Sequence, residues 1–230
     1  ARLAPENTLT GIELAARLGL KWIEIDAQLS RDGVAVLMHD DDLARTTDLT
    51  GAVGDHDWDS LRSADAGAWF GPRFVGTAIP RLDVAIARCR ELGLGMHLEI
   101  KTVEAADTRT AEAVAALLLA VEPPQPLIVS SFSPASVAVA QARLPEVPRA
   151  LAADRLPDDW RDISHRLGLN AWHLDADAIN GTHPPLLHEA GLTLRAWTVN
   201  DPARAAQLVA WGVESVFTDD PPALLARCHG

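Results

Sequence analysis

Five ionisable residues stand at the ends of short apolar runs, spaced so that they could share one site. In Trp22-Ile23-Glu24-Ile25-Asp26 the alternation of a strand sends Glu24 and Asp26 to one side and Ile23 and Ile25 to the other. Leu98-Glu99-Ile100-Lys101 repeats the device, with Glu99 and Lys101 on one face. Val36-Leu37-Met38-His39-Asp40 ends a third run in His39. Three carboxylates, a lysine and a histidine suit a hard divalent cation, Mg²⁺ or Ca²⁺, handling an anionic substrate. Each residue alone reads as a solvated strand end; the same device on three strands of one chain argues for a site. His97 shares the face of Glu99 but lies one layer deeper, as a core or supporting residue. His173 and Asp175 also share a face and could be a second ligand pair.

These residues need a scaffold, and the chain is long enough to supply one. Its 230 residues, 48% hydrophobic and 23% charged, fit one large globular domain over 1–230. No apolar stretch is long enough for a membrane span, and no signal-peptide pattern is present. Twenty basic against 32 acidic residues give a formal charge of −12, which argues against a nucleic-acid partner. An acidic chain that binds an anion must supply positive charge locally, from metal, Lys or Arg. The two cysteines, Cys89 and Cys228, form no disulfide framework and fit a reducing compartment. Cys89 sits on a helical stripe with Leu82, Ala85, Ile86 and Leu92.

The positioning elements follow from periodicity. A helix begins near Asn7 or Thr8 and runs to Gly19, carried by Leu9, Ile12, Leu14, Ala15 and Leu18. Strands at 22–29 and 34–38 flank an Asp32-Gly33 turn. Residues 40–80 keep no period and interleave glycines with Trp58, Trp69, Phe70 and Phe74, as a small lid insertion would. From Arg81 the chain alternates: helices 81–92, 107–121, 134–143, 157–167, 182–190 and 202–211 lead to strands 95–100, 127–131, 148–152, 171–175, 193–199 and 214–218, and a last helix covers 221–228. Repeated strand–helix units imply a parallel sheet with helices outside, and inward polar residues favour a closed barrel. A barrel also wants a strand before the first helix, so one of the eight candidates must lie outside it, in the 22–38 region or at 148–152.

The motifs together resemble a known family. Leu-Ala-Pro-Glu-Asn-Thr at 3–8, Ile-Glu-Ile-Asp at 23–26, Asp-Gly at 32–33, Met-His-Asp at 38–40, Leu-Glu-Ile-Lys at 98–101, Ser-Ser-Phe at 130–132, Trp-Thr-Val-Asn at 197–200 and Phe-Thr-Asp at 217–219 occur in the order of the glycerophosphodiester phosphodiesterases. The resemblance runs nearly end to end. Asp65-Ala-Gly-Ala-Trp69 and Asp159-Trp160-Arg161 bring it nearest the bacterial cytoplasmic branch associated with glycerol-phosphate uptake. It implies a TIM (β/α)8-type barrel with a small insertion, and an active site at the C-terminal strand ends. By the same resemblance Glu24, Asp26 and Glu99 match metal ligands, His39 matches one of two catalytic histidines, and Lys101 matches the lysine that neutralises charge near the phosphate.

The implied reaction is hydrolysis of a small glycerophosphodiester to sn-glycerol 3-phosphate and an alcohol, in the cytoplasm. Either a neighbouring glycerol hydroxyl attacks first, through a cyclic phosphate, or water attacks directly. Phe132 and Trp197 would wall the glycerol carbons. The family carries a His-Arg-Gly motif on the first strand, expected immediately upstream of Ala1, and Arg2 does not match its arginine. Asp219 is expected to brace that motif. Two other readings stay open. One is a phospholipase D-like or lysophospholipase D activity, for which the insertion aromatics would serve lipid. The other is a noncatalytic metal- or anion-binding barrel. No residue pattern sets an oligomeric state.

Overall fold

The structure is a computed structural model that describes residues 1–102 and 107–228. Thr8 caps α1 (Leu9–Arg17), its hydroxyl accepting from Gly11 N at 3.2 Å. β1 (Trp22–Leu29) follows, and Gly33, at φ 84°, allows the reversal into β2 (Ala35–Leu37). The segment from Asp40 to Pro80 holds only short 3₁₀ turns and α2 (Trp58–Leu61). It has an apolar cluster of its own, in which Leu43, Val53, Leu61, Ala64, Ala66 and Ile79 pack on Val36 and Met38.

Beyond it the chain settles into alternation. In order come α3 (Leu82–Leu92), β3 (Gly95–Ile100), α4 (Arg109–Ala120), β4 (Leu127–Ser131), α5 (Pro134–Arg143) and β5 (Arg149–Ala153). Then follow α6 (Trp160–Leu167), β6 (Ala171–Asp175), α7 (His183–Glu189), β7 (Thr193–Trp197), α8 (Pro202–Trp211), β8 (Ser215–Val216) and α9 (Pro221–Cys228).

The sheet order is β2-β1-β3-β4-β5-β6-β7-β8. Every pairing is parallel except β2 on β1, where Ala27 faces Leu37 and Leu29 faces Ala35. The strand that stands apart from the parallel set is therefore β2, in the 22–38 region. β5 is a full parallel member between β4 and β6.

The sheet curls on itself. His97 on β3 meets His173 on β6 with ring centroids 5.6 Å apart, and Phe217, just after β8, at 5.0 Å. In a flat sheet three strand spacings of about 4.8 Å would hold β3 and β6 about 14 Å apart. With Trp22, 4.7 Å from His97, these rings plug the barrel interior. The outward residues Ile25, Leu98, Val129, Leu151, Trp172 and Leu194 lie buried in two clusters against the helices. Each such side chain contributes roughly 1.5–3 kcal/mol of transfer free energy. The two faces thus divide the work: apolar packing holds the barrel from outside, leaving Glu24, Asp26, Glu99 and Lys101 free to face inward. Among the described residues, no helix is long and apolar enough to cross a membrane.

Candidate active site

Strand register brings the acidic residues together. β1 and β3 are neighbours in which Asp26 pairs directly with Glu99 and Glu24 with His97. One oxygen each from Glu24, Asp26 and Glu99 lies within 4.8 Å of the others. Lys101 reaches back over the cluster, its Nζ 3.1 Å from Glu99 Oε1 and 3.8 Å from Asp26 Oδ1. Ser131, at the end of β4, donates to Ile100 O at 2.7 Å and ties β4 to β3 where these side chains emerge.

The electrostatics fit a cation. Burial, then the charges of Asp26 and Glu99, push the Glu24 carboxyl well above the usual range, although its side chain keeps contact with solvent. Burial also raises Asp26, against the opposing ammonium of Lys101. Burial and the charge of Asp26 raise Glu99. Burial works against the Lys101 ammonium, but Glu99 and Asp26 outweigh it and its pKa is raised. Three crowded carboxyls that resist ionising together, with only oxygen donors, form a set that could hold a hard divalent cation.

His39 stands across the mouth. A pocket of about 380 Å³ is lined by His39, Asp40, Asp41, Glu99, Lys101 and Phe132, among others. The His39 side chain is 53% exposed, and its Nδ1 lies 2.7 Å from Asp40 Oδ1. Phe132, 45% exposed, meets Trp197 edge-on at 5.4 Å between centroids. Glu99 and Trp197 thus stand at the C-terminal ends of β3 and β7, Lys101, Phe132 and His39 lie just past β3, β4 and β2, and Asp26 and Glu24 sit within β1, level with Glu99 and His97.

Other residues behave differently from expectation or were not foreseen. His173 lies in the aromatic plug and Asp175 caps the turn after β6, accepting from Asp177 N at 2.8 Å, so the two form no ligand pair. Asp219 accepts from the Ala1 amine at 2.8 Å and from Asn200 Nδ2 at 3.0 Å. Asn7 brackets Asp26: its Nδ2 donates to Asp26 Oδ2 at 2.8 Å, and its Oδ1 accepts from Asp26 N at 2.9 Å. Asn7 holds φ 52°, a conformation that asparagine tolerates better than most residues. Gln28 donates through Nε2 to Asp40 O at 2.6 Å, with Met38 O and His39 O at 3.2 and 3.3 Å. Arg45 grips Asp40 and Glu6 together. The run Pro5-Glu6-Asn7-Thr8 was the available signal for Glu6 and Asn7, and the inward phase of Gln28 behind Asp26 was the signal for Gln28; nothing local marks Arg45.

Comparison with known proteins decides the family. Residues 1–223 match the glycerophosphoryl diester phosphodiesterase family. The chain belongs to that family. YhdW of Bacillus subtilis (strain 168) is 33% identical over 225 residues, covering 95% of this chain and 90% of its own length. A glycerophosphodiester phosphodiesterase of the same organism is 29% identical over 234 residues, covering 94% of this chain and 80% of its own. Among solved structures, a phosphodiesterase of Oleispira antarctica in complex with the product sn-glycerol-3-phosphate superposes with a TM-score of 0.95 at 33% identity, over 99% of this chain and 92% of that one. The fold of the family is a TIM-like barrel, and this chain is an enzyme of that fold.

Proposed function

We propose that this chain hydrolyses glycerophosphodiesters to sn-glycerol 3-phosphate and an alcohol at the mouth of the barrel. The observation that carries the reading is the convergence of Glu24, Asp26 and Glu99, with Lys101 above them, beside the pocket that holds His39. The three carboxylates would hold Mg²⁺ or Ca²⁺, which when bound supplies Lewis-acid neutralisation of phosphoryl charge. Lys101 offers its ammonium to a phosphoryl oxygen and stabilises the charge that grows there in the transition state. His39 protonates the leaving alkoxide. Phe132 and Trp197 wall the glycerol carbons. The atoms balance: one P–O bond breaks, the hydroxyl of water stays on phosphorus and its proton leaves on the alcohol. The product bound by the Oleispira relative supports this substrate class. A cytoplasmic setting agrees with the free, buried thiol of Cys89.

One observation favours a second reading, lysophospholipase D activity. Trp69 in the insertion is 40% exposed and meets Phe70 edge-on, as Phe70 meets Phe74, leaving aromatic surface that lipid could meet. A single assay separates the two. Release of sn-glycerol 3-phosphate is followed for glycerophosphocholine, glycerophosphoethanolamine and glycerophosphoglycerol, and of lysophosphatidic acid for micellar lysophosphatidylcholine, each with and without EDTA. Turnover of the soluble diesters that EDTA abolishes is expected. Turnover of the micellar lipid alone would replace the reading, and none on any substrate would leave a binding barrel.

A further inference from the structure

We infer that Asp40 and Arg45 are positioning residues for His39: Arg45 clamps Asp40, and Asp40 holds the imidazole as the Nδ1–H tautomer with Nε2 turned to substrate. The inference rests on the proposed role of His39 and adds how that role is built.

The geometry begins at the ring. A carboxylate only accepts, so the 2.7 Å contact of His39 Nδ1 with Asp40 Oδ1 requires the proton on Nδ1. Nε2 has no hydrogen-bond partner among the described residues and is the nitrogen left for proton transfer: with Nδ1–H held on Asp40, the ring donates from Nε2 as the imidazolium and is left as the Nδ1–H tautomer. A half-exposed histidine would otherwise turn freely between rotamers and tautomers. Asp40 limits both freedoms, provided that it stays ionised and stays put.

Arg45 meets both conditions. Its guanidinium grips Asp40 with two prongs, Nε to Oδ2 and Nη2 to Oδ1, the second at 2.9 Å. That contact holds the Asp40 carboxyl down at about 2, so it remains an acceptor at any working pH. The far side of the same guanidinium donates to Glu6, Nη1 to Oε2 at 3.1 Å and Nη2 to Oε1 at 2.5 Å. Glu6 precedes Asn7, which brackets Asp26. A continuous chain therefore runs from Asp26 through Asn7, Glu6, Arg45 and Asp40 to His39. It fixes the proton donor relative to the carboxylates that face the phosphate. Glu6, His39 and Asp40 also lie close enough to suggest a second cation site, but Arg45 already occupies both carboxylates as their ion-pair partner.

Exposed ion pairs of this kind add little stability, so a positioning role shows in the ring and in turnover, not in the melting temperature. The ¹⁵N and ¹H shifts of the His39 ring report its tautomer without any substrate, with the resonance assigned by loss in His39→Ala. Wild-type protein is expected to show a protonated Nδ1 and a bare Nε2 in the neutral ring. Asp40→Asn and Arg45→Met should give the other tautomer or a mixture. The same variants should lose about 10²-fold in kcat with KM changed little, as expected when a reacting group is misplaced by about 1 Å. Arg45→Lys, which keeps charge but not the two-pronged grip, should fall between, and Glu6→Gln should weaken the effect without abolishing it. Circular dichroism and the melting temperature check that each variant folds. Should Asp40→Asn fail to fold, Arg45→Met and Glu6→Gln carry the test. An unchanged ring tautomer in the folded variants overturns the inference, as does kcat loss that only follows the loss of melting temperature. Absence of diester turnover by wild-type protein would instead refute the proposed function, and the ring measurement would still decide the tautomer.

Discussion

Replacing His39 by alanine should slow turnover of natural diesters by about 10²–10⁴-fold, the span of a general acid. At about 1.4 kcal/mol per tenfold, that is about 3–5 kcal/mol of lost transition-state stabilisation. The structure confines the loss to kcat. The ring is 53% exposed, and its partner Asp40 keeps both prongs of Arg45, so the substitution leaves no buried group unpaired. Stability should shift by no more than about 0.5 kcal/mol. KM should change little, because Lys101 and the three carboxylates remain. The assay compares glycerophosphocholine with a glycerophosphodiester of p-nitrophenol. The nitrophenolate leaves without help, so the variant should recover most of the lost rate on it. Equal loss on both substrates would move His39 to nucleophile activation. Unchanged kcat on natural diesters, in a folded variant, would refute the catalytic role.

Two further outcomes follow from buried charge. Lys101→Met removes the ammonium that Asp26 and Glu99 share, so kcat should fall while Mg²⁺ or Ca²⁺ binds more tightly in calorimetric titration; weaker binding would contradict the arrangement. His173 is buried in the aromatic plug with Nε2 unpartnered, and burial holds its pKa well below the usual value. Below about pH 6.5 the unfolded chain takes up a proton there that the folded chain refuses, so stability is lost as pH falls. The stability of His173→Leu should therefore gain on wild type by roughly 1.4 kcal/mol per pH unit below about pH 6.5, read by urea unfolding. A gap independent of pH would show that His173 titrates normally.

The legible parts of this molecule are those that period two encodes. Ile23/Ile25 and Leu98/Ile100 reveal which way the strands face, and so deliver Glu24, Asp26, Glu99 and Lys101 to the interior. The helix–strand alternation after Arg81 is equally plain, down to Cys89 on the buried stripe of α3. What stayed hidden depends on pairing across the chain. That β2, and not β5, leaves the parallel set depends on hydrogen-bond direction, which the short run Ala35–Leu37 does not encode. Asn7 lies 19 residues from Asp26, and Arg45 lies 39 from Glu6, so no local pattern joins them. His173 and Asp175 share a face in phase, yet His173 sits within the plug while Asp175, the last residue of β6, caps the turn that follows, a contact that strand phase does not encode.

The central claim is that Glu24, Asp26 and Glu99 form one cation site on which turnover depends. Glu99→Gln tests it most directly, because it keeps the side-chain shape on β3 and removes one charge. Titration of the wild-type protein with Mg²⁺ and Ca²⁺ should give one site, and the variant should bind at least tenfold more weakly, losing its cation-dependent turnover while retaining its circular dichroism. Wild-type affinity in Glu99→Gln, with diester turnover that survives exhaustive chelation, would contradict the account.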